Sequence, residues 1–212
     1  MNYLLNIDPR LHTTSEQIQK LQWKLPTIIH VHGDFTEESA KNFRQEMEMA
    51  ENMAIESKQQ HIPIVIDSFG GDAYGLMSMA DAIKSCSIPV ATIVEGKAMS
   101  AGAFLLTYGA EGQRYMAPSA TVMIHNVASG RSGRNEDLQK HSNEVDRISK
   151  KLFREMAKNC GKHESYFYDL YKQNEHADLY WDANESLKHN LVNHIGVPKF
   201  KVNVSLDFSF SL

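Results

Sequence analysis

Hydrophobic and polar residues follow two different periods along the chain, and together these periods predict strands that alternate with helices. Apolar runs at residues 27–33, 62–67, 90–95 and 120–125 have the length and the β-branched content of buried strands. Between them, apolar residues recur at three- and four-residue spacing, which is typical of amphipathic helices. This alternation predicts parallel βαβ units and therefore an α/β fold.

Two helix starts and one long helix stand out in the pattern. Asp34 with Glu37, and Asp182 with Glu185, have the three-residue spacing of a capping box, so each pair predicts the start of a helix. Residues 135–159 predict a long, highly charged helix with a single apolar seam. That seam consists of Leu138, Val145, Ile148, Leu152 and Met156.

The two ends of the chain differ from the middle. Residues 1–25 are polar and show no sustained period, which predicts an N-terminal segment outside the core. In residues 200–212, apolar and polar side chains alternate strictly, a pattern typical of a strand with one buried face. Because an exposed strand of this kind is an aggregation hazard, we expect it to pack against its own or a neighbouring subunit.

Composition narrows the class of protein. A chain of 212 residues with 42% hydrophobic content can bury a real core, yet no apolar run approaches the roughly 18 residues that span a membrane. A net charge of −4 does not favour a nucleic-acid partner. Cys86 and Cys160 form no CxxC pair, and the first residues lack the basic start of a secretory signal. We therefore expect a cytoplasmic protein without a membrane anchor.

Ser100 has the sequence context of a nucleophile. It follows the predicted strand that ends at Gly96, and it directly precedes an apolar run of helical character. A serine at such a junction exposes its hydroxyl beside the free backbone N–H groups of its own helix, where an oxyanion can bind. The alternative explanation is an ordinary serine that caps a helix.

Two other segments supply groups that a serine nucleophile needs. His125 ends an apolar strand, so it can face the same crevice as Ser100, and an imidazole can accept and return a proton near neutrality. Gly70 and Gly71 interrupt another apolar strand and allow the backbone to approach a reacting carbonyl closely. A structural histidine and a tight turn are the alternatives from these residues alone.

Taken together, the three segments resemble the ClpP family of serine peptidases, the proteolytic subunit of the Clp protease. Residues 99–106 read M-S-A-G-A-F-L-L, against A-S-M-G-A-F-L-L in the family. Residues 122–127 read V-M-I-H-N-V, against V-M-I-H-Q-P, and residues 67–71 read D-S-F-G-G, against N-S-P-G-G. Phe69 and Val127 thus replace two prolines. The resemblance covers roughly residues 26–197 and implies a peptidase domain there, with a C-terminal extension at 198–212.

The resemblance implies roles for particular residues. Ser100 is the expected nucleophile and His125 its base, with the backbone N–H groups of Gly70 and Ala101 as the oxyanion donors. Asp178 is the expected third member of the triad, because residues 180–186 align with the family pattern that follows the catalytic carboxylate. Two rival carboxylates remain, Asp182 and then Asp169. The resemblance implies neither a metal nor an organic cofactor.

The resemblance also implies an assembly. The expected fold is a ClpP/crotonase-like spiral of βαβ units whose long helix at 135–159 protrudes as a handle joining two rings. A homo-oligomeric ring or double ring, a separate AAA+ unfoldase ATPase and unfolded polypeptide substrates follow from it. The turn at residues 130–133 is expected to line the substrate groove, where an extended peptide adds as a strand. Ala177 stands where the family usually has an arginine that contacts the other ring, which leaves the double ring open.

Three other functions stay open on the sequence alone. A relative that processes acyl-CoA compounds would share the architecture and the paired oxyanion donors. An inactive ring subunit would modulate a host protease. A stand-alone processing peptidase, such as one that matures viral capsids, would need no ATPase. The serine, histidine and aspartate together favour an active serine endopeptidase.

Overall fold

The computed structural model describes residues 27–130 and 132–199, and within these residues a seven-stranded, mostly parallel sheet forms the centre. Its strands are β1 Ile29–Phe35, β2 Ile62–Gly71, β3 Val90–Met99, β4 Arg114–Met116, β5 Thr121–Ile124, β6 Leu179–Trp181 and β7 His194–Ile195. The helices are α1 Glu37–Ser57, α2 Ala73–Ser85, α3 Ala101–Leu106, α4 Asn135–Asn159, α5 Tyr166–Gln173 and α6 Ala183–Lys188. The predicted α/β class is confirmed. The expectations for residues 1–25 and for the strand at 200–212 lie outside the described residues.

β3 is the strand around which the sheet is arranged. The main path runs β1-β2-β3-β4-β7, while β5 pairs with β3 and β6 pairs with β5. The first part of β3 lies beside β4, and its last three residues, from Lys97 to Met99, lie beside β5. Between these parts Gly96 has φ +78°, and a Cβ there would stand 2.9 Å from Asp67 Oδ1. The glycine thus permits the bend with which β3 passes from one partner strand to the next.

The first helix packs one face on the sheet, as its spacing predicts. Its buried residues are Ala40, Phe43, Met47, Ala50 and Ala54. It begins later than the sequence indicated: Thr36 is the N-cap, and Thr36 and Ser39 form the capping box. The prediction of Asp34 as the cap was wrong because β1 continues to Phe35, so that Asp34 pairs with Gly70 in the sheet.

The long helix α4 has the predicted bounds, but the residues of its apolar seam differ in burial. Ile148, Leu152 and Met156 are buried in the core, whereas Leu138 and Val145 are only partly buried. The C-terminal half of α4 therefore holds the helix on the body, and its N-terminal half extends along the surface. Within the described ranges, the helices are too short or too polar to cross a membrane.

Arg114, the first residue of β4, hydrogen-bonds to backbone near the ends of three helices. The residue is 2% exposed, and its guanidinium donates to backbone carbonyls of Leu191 (2.9 Å), Asn190 (3.0 Å), Asn159 (3.1 Å) and Gly109 (3.4 Å). These carbonyls lie at or just beyond the C-terminal ends of α6, α4 and α3, where backbone acceptors lack partners within the helix. The positive charge is favourable there because helix C-termini carry partial negative charge.

We predict that Arg114→Met lowers the free energy of unfolding by about 3 kcal/mol, since several buried carbonyls lose their donor at about 1 kcal/mol or more each. Arg154→Met is the matched control. Arg154 is exposed and pairs with Glu164 at 3.4 Å, so its loss should change stability by less than about 1 kcal/mol. Chemical denaturation followed by circular dichroism measures both variants, and equal losses would contradict the assigned role of Arg114.

Candidate active site

Ser100 occupies a strained turn between β3 and α3. Its φ of 51° and ψ of −120° are uncommon for a residue other than glycine, and strain of this kind is concentrated at functional sites. The Ser100 N–H donates to the Met123 carbonyl at 2.8 Å, which fixes the turn against β5. Although Ser100 stands at the N-cap position, its side chain makes no capping bond. Its hydroxyl instead points to His125.

The pairing of β3 with β5 brings serine and histidine together. Parallel pairing runs from Lys97 with Thr121 to Met99 with Met123, so the residues just beyond both strands lie side by side. Ser100 Oγ is 2.7 Å from His125 Nε2, a normal hydrogen-bond distance. The histidine side chain is 26% exposed, so one part of the ring remains accessible from the groove.

The antiparallel pairing of β5 with β6 determines which carboxylate lies near the histidine. Val122 pairs with Trp181 and Ile124 with Leu179, so the same register, continued by one residue, sets Asp178 opposite His125. Asp178 Oδ1 is 4.0 Å from His125 Nδ1, which is an ion-pair distance but longer than a hydrogen bond. The Asp178 side chain is 45% exposed.

The two rival carboxylates have other partners. Asp182 Oδ1 accepts the Glu185 N–H at 2.9 Å and caps α6, as its spacing suggested. Asp169 lies 3.9 Å from Lys172 on α5. Of the three aspartates that the sequence offered, Asp178 is therefore the one that the fold places beside His125.

The glycine loop approaches Ser100 closely, but its two glycines differ. A Cβ on Gly70 would come within 2.6 Å of the Met99 carbonyl oxygen, so only glycine fits. The Gly70 N–H, the predicted oxyanion donor, donates to buried Ser68 Oγ at 2.9 Å, and Ser68 in turn donates to the Gly33 carbonyl. Gly71, to which the sequence assigned no donor role, lines the groove beside Ser100. The sequence pattern does not distinguish the two glycines; only the backbone conformation shows that Gly71 faces the groove.

Ala101 is the second predicted oxyanion donor. It is the first residue of α3, so its N–H has no carbonyl one turn back within the helix. Ala101 lines the same groove as Ser100 and Gly71. The two groove-lining backbone positions, on β2 and on α3, thus flank the serine.

A groove of about 820 Å³ runs from Ser100 and His125 to the exposed half of α4. One wall is apolar and consists of Phe104, Met123, Val127, Val145, Ile148 and Leu152. The far end is polar, with Ser129, Lys140 and His141. The described residues contain no cluster of three or more side chains suited to hold a metal ion. Ser100 thus opens into a groove with one largely apolar wall and a polar far end.

The far end of the groove contains a second serine–histidine pair that sequence reasoning missed. Ser129 Oγ is 2.8 Å from His141 Nε2. Ser129 lies in an irregular segment rather than at a strand-to-helix turn. Glu144, one turn further along α4, already binds Arg147 at 2.7 and 2.8 Å and Tyr74 at 3.0 Å. These contacts, with the Arg147 bonds foremost, lower the pKa of the Glu144 carboxyl to about 2. This second pair therefore lacks the strained turn, and the carboxylate one turn beyond its histidine is already paired.

A parallel α/β fold with a serine, a histidine and an aspartate at strand ends defines a hydrolase-like architecture. The family model for Clp protease matches residues 13–199, which is most of the chain. The chain belongs to the Clp protease family, and the resemblance seen in its three motifs is confirmed. Membership implies a ClpP-like peptidase in general.

The strained turn predicts an order of stability for two variants at Ser100. Glycine adopts positive φ without a Cβ penalty, whereas alanine keeps that penalty. We predict that Ser100→Gly unfolds at a higher temperature than Ser100→Ala, because its free energy of unfolding should be larger by about 1 kcal/mol. Thermal unfolding by scanning calorimetry checks this order. A more stable alanine variant would show that the turn stores no strain.

Proposed function

We propose that this chain is a serine endopeptidase that cleaves peptides and unfolded proteins by an acyl-enzyme mechanism inside a ring-shaped chamber. One observation supports this function above all others: Ser100 Oγ lies 2.7 Å from His125 Nε2 at a strained strand-to-helix turn. A hydroxyl that caps its helix would point elsewhere. Membership of the Clp protease family supports the same class of reaction.

In the proposed reaction, Ser100 Oγ attacks the scissile carbonyl while His125 Nε2 takes its proton. The imidazolium then gives this proton to the leaving amine, and the acyl group stays on Ser100. Water, deprotonated by the same imidazole, attacks the ester carbonyl; the bond to Ser100 Oγ then breaks, the imidazolium returns the proton to this oxygen, and the acid is released. Asp178 orients His125 through Nδ1; the 4.0 Å separation closes when substrate fills the groove, as catalytic hydrogen bonds often do.

The oxyanion of each tetrahedral intermediate is held by two backbone N–H groups, that of Ala101 and one from the glycine loop. Because the Gly70 N–H already has an acceptor in Ser68, we assign the second donor to Gly71. Gly71 lines the groove beside Ser100, and this position supports the assignment.

The substrate binds along the segment that follows His125. Among the described residues, the backbone groups of 126–130 form no hydrogen bonds to other backbone groups. Val127 N–H donates to the buried Ser149 hydroxyl at 3.2 Å, and Ser129 is tied to His141, so α4 holds this segment in place. An extended peptide can pair with such an open edge, which positions its carbonyl beside Ser100.

The chain works as a homo-oligomer in this proposal, since members of the family typically form rings. An AAA+ ATPase would deliver unfolded polypeptides to the chamber, and we place this activity in the cytoplasm. Ala177, which is exposed beside Asp178, leaves the contact between two rings weaker than in relatives with arginine. An inactive modulatory subunit is disfavoured because such a chain has no need to keep Ser100 and His125 at bonding distance.

We predict that a fluorophosphonate probe labels Ser100 and that Ser100→Ala abolishes both labelling and peptide hydrolysis. Ser129→Ala is the matched control, because Ser129 is also hydrogen-bonded to a histidine in the same groove. It should keep its label, detected by in-gel fluorescence and tandem mass spectrometry. A label on Ser129, or hydrolysis at the wild-type rate by Ser100→Ala, would refute the assigned nucleophile.

We predict that Asp178→Asn lowers kcat for peptide hydrolysis by at least 100-fold, because an amide cannot stabilise the imidazolium or fix the tautomer of His125. Asp182→Asn is the control and should cost at most about 1 kcal/mol of stability through its cap, with kcat nearly unchanged. Steady-state kinetics on both folded variants decides between them. The reverse order of effects would assign the third triad position to Asp182.

A further inference from the structure

Phe69 is an exposed aromatic residue beside the nucleophile. It is 65% exposed, and it lines the same groove as Ser100 and His125. Phe69 and Gly71 are two residues apart on β2, so they face the same side of the sheet. An aromatic side chain left in water at the wall of a concave site offers contact surface to a ligand.

Lys97 holds this ring from outside the groove. Lys97 Nζ lies 4.3 Å from the centre of the Phe69 ring, and the same nitrogen is 2.6 Å from Asp67 Oδ1. Neither Lys97 nor Asp67 lines the groove. The ammonium therefore restrains the ring without occupying the cavity, and Asp67 balances its charge. A ring restrained before a ligand arrives loses little conformational entropy on binding.

We propose that Phe69 is a specificity-determining residue whose ring receives a large apolar side chain, aromatic or branched aliphatic, of the bound peptide. This inference rests on the proposed function, because it assumes that a peptide lies in the groove. Aromatic rings pair favourably in offset or edge-to-face geometry, and the apolar wall formed by α4 and α3 faces the same cavity. The proline that the family has at this position would offer a peptide no aromatic surface.

The test measures binding without chemistry. Full-length Ser100→Ala protein is titrated with fluorescent peptides in which one position at a time is Phe, Leu or Ala, and fluorescence anisotropy gives each Kd. At one position we expect Phe to bind about 2- to 12-fold more tightly than Ala. Adding Phe69→Ala or Phe69→Gln should remove this preference, whereas Phe69→Tyr should keep it. Lys97→Met should reduce the preference for Phe over Ala, because the Phe69 ring then loses the contact that restrains it.

A purely structural role for Phe69 gives a different result. If the side chain only stiffens the glycine loop, Phe69→Ala weakens every peptide by the same factor, and this outcome overturns the proposal. A preference that survives in both Phe69→Ala and Phe69→Gln overturns it as well. Wild-type protein that hydrolyses no peptide, together with a preference that depends on Phe69, would refute the proposed function while the inference about Phe69 stands.

Discussion

The bend in β3 at Gly96 is the constraint on which the site depends. It allows one strand to pair with β4 and then with β5, and the second pairing sets Met99 beside Met123. Ser100 follows Met99 directly and His125 follows Met123 by two residues, so both lie at the ends of paired strands and their contact depends on strand pairing rather than on flexible loops. A site built on paired strands is held within narrow limits, which is what an activated nucleophile needs.

Two further strand pairings place the other groups of the site, β5 with β6 and β3 with β2. β6 pairs antiparallel with β5 and thereby brings Asp178 opposite His125, while β2 ends in the glycine loop beside Ser100. α4 closes the groove, because its C-terminal half is buried in the core and its N-terminal half leaves Val145 on the groove wall. One long helix thus packs its C-terminal half into the core and forms one wall of the groove.

The apolar runs located β1, β2, β3 and β5, and the helical patterns located every helix except α5, including α4 with its bounds. The short helix α5 was not predicted. The strands β4, β6 and β7 contain only two or three residues, too few for any period to appear. Asp34 was a plausible cap by composition, yet sheet pairing took precedence over the local signal. The choice between Gly70 and Gly71, and the pair formed by Ser129 and His141, depend on backbone direction and on tertiary contacts.

The most direct test of the central claim is the adduct formed with a peptidyl chloromethyl ketone. This reagent alkylates a histidine efficiently only after a neighbouring serine has attacked its carbonyl, so it reports the pair and the path of the substrate together. Tandem mass spectrometry should place the adduct on His125, and Ser100→Ala should abolish it. An adduct on His141 or Cys86, or equal alkylation of His125 in Ser100→Ala, would contradict the account.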